Sequence, residues 1–118
     1  MSFAITDIPN ISYKKVAHGS VSGTLEIDVA TGFWHSLTVA GALSLSFIGF
    51  PSVGNDVIRV LLEVTNPGTD LTLAGAIFHY LDKTAPTYTV SGVDMIGIYS
   101  VDSGSNIYVF PGLNVGTP

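Results

Sequence analysis

Apolar and polar residues alternate with a period of two along most of the chain, the pattern of half-buried strands whose successive side chains point to opposite faces. In residues 24–29, Leu25, Ile27 and Val29 share one face, and Thr24, Glu26 and Asp28 the other. Ala30, Thr31 and Gly32 interrupt with turn chemistry, and Phe33, His35, Leu37 and Val39 then resume the alternation. The two segments read as a hairpin. Leu43, Leu45 and Phe47 alternate with Ser44 and Ser46 in a third strand that stops at Gly49, Phe50 and Pro51. Residues 56–64 set Ile58, Val60, Leu62 and Val64 on one face, and Thr65, Asn66, Pro67 and Gly68 close that strand with a strong turn signal.

Residues 71–81 are strand-like but broken at Ala74 and Gly75, a place for a bulge or bend. A short strand is expected over 88–90, another over 95–101, and a last one over 107–110 before a stop at Pro111 and Gly112. Seven or eight short strands with no helical period predict an all-β domain, an antiparallel β-sandwich of Greek-key or jelly-roll type. Its expected core contains Leu25, Ile27, Leu37, Leu45, Ile58, Val60 and Leu62. The organisation expected is one β-sandwich domain over 19–118, preceded over 1–18 by a docking arm or edge strand in which Pro9 interrupts central pairing.

Composition narrows the function classes. Hydrophobic residues make up 47% of the 118 and charged residues 11%, which excludes a disordered chain and leaves few charges to solvate a surface. Part of that surface is therefore expected to meet protein. The net charge of -5, with Lys14, Lys15, Arg59 and Lys83 as the strong cations, argues against nucleic-acid binding. No cysteine is present, so disulfides and thiolate chemistry are excluded. Residues 1–13 lack the charge and the apolar run of a signal peptide, and no segment has the roughly 18 to 20 apolar residues of a membrane span. A chain made in the cytoplasm, with no membrane partner, is expected.

Catalytic and metal patterns are weak. His18, His35 and His79 have no ligand spacing, and His35 alternates with apolar neighbours as a hydrogen-bonded, partly buried histidine would. Glu26 and Asp28 read as a solvated face, and the polar run from Asp102 to Asn106 as a hairpin turn. Gly19, Ser20, Val21, Ser22 and Gly23 fail as a nucleophile elbow. No catalytic residue, metal site or cofactor is expected.

Residues 22–32, reading S-G-T-L-E-I-D-V-A-T-G, and 36–47, reading S-L-T-V-A-G-A-L-S-L-S-F, resemble a β module of tailed-phage virion structural proteins. The word T-A-P-T-Y-T at 84–89 and the segments 92–99 and 104–110 extend the resemblance over roughly residues 19–112. Tyr80 and Ile107 stand where that module usually has tryptophans. The resemblance implies a non-enzymatic virion protein. Its role would be that of a capsid decoration or cement protein on the major capsid protein, or alternatively of a tail-associated or fibre-tip receptor-binding module. A chain of 118 residues leaves no room for a fibre shaft, which favours decoration.

Two contact sets follow. Phe3, Ile5, Ile8 and Tyr13 are expected to dock the N-terminal arm on a virion partner. Trp34, on the face of Ser36 and Thr38, is expected with Tyr108 and Phe110 to mediate self-association, as a homotrimer.

Overall fold

The computed structural model describes residues 14–50, 58–80, 83–102 and 104–116, and Phe3, Ile5, Ile8 and Tyr13 lie outside these. The described residues are all-β, with no α-helix and one 3-10 turn, Gly68–Asp70. The strands are β1 (Lys15–Asp28), β2 (Trp34–Ile48), β3 (Ile58–Thr65), β4 (Leu71–Leu73), β5 (Ile77–Tyr80), β6 (Val93–Ser100) and β7 (Asn106–Gly116). They form one mixed sheet in the order β1-β2-β3-β6-β7-β5, with β4 also pairing β2. The sheet is not closed, and β1 and β5 end the path.

The expected hairpin of the first two strands is corrected: β1 and β2 are parallel neighbours, with Lys15 opposite Trp34 and Asp28 opposite Ile48. The β2-β3, β2-β4 and β5-β7 pairs are parallel too, so the sheet is not the antiparallel one expected. A straight β1 would hold its ends about 43 Å apart. The six steps from Asp28 to Trp34 span at most about 22 Å, and Trp34 lies beside Lys15. β1 must therefore bend sharply. Its register shifts, between Ala17 and Ser20 and between Val21 and Gly23, mark the bend. Gly19 and Gly23 supply it with φ of 74° and 83°, a region closed to most side chains.

β1 and its corner thus make one turn of chain that β2 repeats above it. Lys15 and Trp34 are 19 positions apart, Thr24 and Ser44 are 20. The first half of β2 is continued by β3 and its second half by β4, which stacks Leu25, Leu45 and Leu73 in one ladder. At the corner Asp28 Oδ1 accepts from the Ala30 amide at 3.0 Å, and Thr31 Oγ1 donates to the Asp28 carbonyl at 2.7 Å. A side chain on Gly49, at φ 85°, would run into the Asp28 carboxylate, so the next turn of chain needs glycine there.

Alternation places the core largely where the sequence puts it. Ile27, Leu37, Leu45, Val60 and Leu62 are buried, and Leu25 and Ile58 pack half-buried against them. Val64, Ile96, Ile98, Ile107 and Val109 complete it. Residues 88–90 form no strand; they belong to a loop held by the Gly68 amide on the Thr89 carbonyl and by the Thr89 amide on the buried Asp94 carboxylate. β7 runs past the expected stop at Pro111, which faces Ile96 on β6. Its pairing with β5 has ended at Val109, so the missing amide hydrogen falls on a free edge.

Candidate interaction face

Side chains that alternate away from the core meet in rows across the sheet. Register sets Lys15, Trp34, Leu61, Gly97 and Phe110 side by side on β1, β2, β3, β6 and β7. The adjacent row holds Arg59, Tyr99, Tyr108 and His79 on β3, β6, β7 and β5. Because neighbouring strands lie about 4.8 Å apart, Trp34 and Phe110 sit about 14 Å apart on one face. Trp34, Tyr108 and Phe110, the set expected from the sequence to mediate self-association, stand in these two rows. Leu61, Tyr99, Arg59 and His79 join them there, a placement not expected from the sequence. The alternation of Met95, Gly97 and Tyr99 was the available signal, but the row exists only once the register is known.

Each aromatic on this face has a fixed neighbour. The Trp34 indole Nε1 donates to Glu63 Oε1 at 2.8 Å, with the Lys15 ammonium 5.8 Å from the ring centroid. Tyr108 stacks on His79 at 4.8 Å, and His79 Nε2 lies 2.9 Å from Asn106 Oδ1. Tyr99 and Phe110 meet edge to face at 5.2 Å, and the Arg59 guanidinium stands 5.3 Å from the Phe33 ring. Tyr108 and Phe110 remain 41% and 47% exposed, whereas Trp34 is half-buried. Gly97 forms a shallow notch among them, where a β-carbon would press on Tyr99 at 3.2 Å. Offset and edge contacts of this kind hold rings in place beyond what area burial alone provides.

Asp102 Oδ1 accepts from the Asn106 amide at 2.9 Å, and its Oδ2 from the Asn106 side chain at 2.7 Å, the hairpin turn expected there. Hydrogen bonds from Asn106 hold the Asp102 carboxyl below the usual carboxylate range. Glu26 is exposed, and among the described residues no group of three or more histidine, cysteine or acidic side chains could hold a metal. A cleft of about 420 Å³ opens beside the loop over 83–92, between Leu71, Leu73, Tyr80, Pro86 and Tyr88. Burial, with Tyr80 and Asp94 adding to it, pushes the Tyr88 phenol well above its ordinary range, and its hydroxyl has no hydrogen-bond partner among the described residues.

His35 is buried as its alternation implies, and its ring meets that of His18. Comparisons with protein-family models, with curated proteins and with solved structures found no match to this chain.

Proposed function

We propose that this chain is a non-enzymatic structural protein of a tailed-phage virion, a decoration or cement protein that binds and stabilises the head shell. The observation that supports this reading is the outer face on which Trp34, Leu61, Phe110, Tyr99 and Tyr108 stand in adjoining rows. Aromatic residues with an arginine at the edge are the composition of protein interfaces, and a sheet presents them as a rigid surface. In this reading the bent sheet packs on itself as the two layers of a sandwich. Trp34, Tyr108 and Phe110 join copies into a homotrimer, and Phe3, Ile5, Ile8 and Tyr13 reach the major capsid protein.

A second reading, a tail-associated or fibre-tip module that contacts a receptor, is favoured by one feature. The Tyr108 and His79 rings stack at the exposed edge beside Asn106, an arrangement able to engage a flat polar ligand such as a sugar. Adding the purified chain to whole tailed-phage particles stripped of their decoration protein, followed by electron cryo-microscopy, tests the choice. Density at symmetry-related positions on the shell is expected; density confined to the tail, or none, would overturn the decoration role.

A further inference from the structure

His18 and His35 form a hydrogen-bonded pair whose proton positions the geometry dictates. His35 is fully buried, and its Nε2 lies 3.0 Å from the Gly32 carbonyl. A carbonyl only accepts, so Nε2 carries the hydrogen and Nδ1 of the neutral ring is an acceptor. His18 Nε2, 2.9 Å from that Nδ1, must then donate to it. The rings lie nearly parallel, 13° apart with centroids 5.2 Å from one another. One chain of donors thus runs from His18 on β1, through His35 on β2, to the corner that joins the two strands.

We propose that this pair is a proton-operated latch, which holds β1 on β2 while the buried His35 ring is neutral and releases it in acid. A proton arriving on His35 Nδ1 takes the lone pair that accepts from His18. The contact survives a proton on His18 Nδ1, which leaves the Nε2 donor in place, but survives one on His35 only if His18 gives up its Nε2 hydrogen to solvent and carries one on Nδ1 instead. A second proton leaves two N–H groups pointing at each other across 2.9 Å. Any proton on His35 also puts a charge on a ring with no access to water.

The surroundings do little to offset this. Asp28 at the corner is the acidic group that favours a charged His35, and its Oδ1 already accepts from the Ala30 amide. Glu26 is exposed on the strand. On β3 the core side offers Val60, Leu62 and Val64, while Arg59 and Glu63 alternate to the outer face, where Glu63 pairs with Lys15. Lys14 and Lys15 at the start of β1 are exposed cations and favour the neutral pair. Burial holds both imidazoles below their ordinary range. A histidine depressed in the fold binds its proton more readily when released, so stability is complete above the unfolded pKa of about 6.5 and falls as pH drops below it.

Amide hydrogen exchange, corrected for intrinsic rates, measures the opening of β1 between pH 7.5 and 5. The opening constant should rise by up to about tenfold per pH unit for each proton taken up. His18→Gln retains a donor at nearly the same reach but cannot titrate, and should flatten that slope by one proton. Nitrogen-15 spectra of the wild-type imidazoles should show His35 hydrogenated on Nε2 alone while β1 stays protected. A pH-independent opening constant, an unchanged slope in His18→Gln, or a doubly protonated His35 under a protected β1 would each overturn the latch.

Discussion

Trp34 Nε1 and Lys15 Nζ converge on one oxygen, Glu63 Oε1, at 2.8 Å and 3.5 Å. Three strands are tied at this point, since Lys15, Trp34 and Glu63 belong to β1, β2 and β3. The ion pair is largely exposed, so Glu63→Gln, which keeps an acceptor for the indole, should cost less than about 1 kcal/mol. Glu63→Ala removes the acceptor as well. Trp34 is the chain's one tryptophan, so its fluorescence reports this site without interference. The emission should change markedly in Glu63→Ala and little in Glu63→Gln. Equal changes in both would mean that the indole hydrogen bond does not form in solution.

The leucine ladder gives a graded test of the stacked turns. Leu45 is fully buried between the half-buried Leu25 and Leu73. Leu45→Ala should therefore cost about 2 to 5 kcal/mol in urea unfolding, and Leu25→Ala clearly less, because its cavity opens to solvent. An antiparallel hairpin of β1 and β2 would separate these residues. Coupling between the two substitutions in a double-mutant cycle would then vanish.

Asp94 is the buried acid on which two separate segments rest. Its Oδ2 accepts from the Thr89 amide at 2.8 Å and its Oδ1 from the Asn114 amide at 2.7 Å. Removing the carboxylate leaves two backbone donors without partners, each costing about 1 to 3 kcal/mol where water cannot reach them. Asp94→Ala should destabilise the protein by several times as much as Asp70→Ala, since Asp70 is exposed in the 3-10 turn. Similar losses for the two would show that the loop and β7 are held by other contacts.

Period two made the faces legible and left the neighbours hidden. Ile27, Leu37, Leu45, Val60 and Leu62 could be placed inward because alternation depends only on residues two apart. Whether β2 runs with or against β1 depends instead on a bend at Gly19 and Gly23 and a corner at Ala30, Thr31 and Gly32. That corner has the chemistry of a hairpin turn, and nothing local distinguishes the two uses. The rows of the outer face share this limit. Trp34 lies near Phe110 only because β3 and β6 stand between them in one register, with residues 61 and 97 as their links. Likewise His35 could be read as buried and bonded, while its partner His18, 17 positions earlier, comes into reach only when β1 pairs parallel with β2.

The outer face and the core can be separated by experiment, because residues 107–110 of β7 alternate between them. Ile107 and Val109 are 1% exposed, and Tyr108 and Phe110 are 41% and 47% exposed. Surface substitutions away from buried contacts usually change stability by no more than about 0.5 kcal/mol. Losing the Tyr99 edge contact and the His79 stack should raise that to about 1 kcal/mol for a Tyr108→Ser, Phe110→Ser double variant. Binding should respond far more, since aromatic anchors at the centre of an interface commonly account for 2 kcal/mol or more, about thirtyfold in affinity. The double variant is therefore expected to melt close to the wild type yet sediment as a monomer. Ile107→Ser is expected to unfold the sheet instead. A double variant that keeps the wild-type oligomeric state and particle binding would show that this face is not the interface.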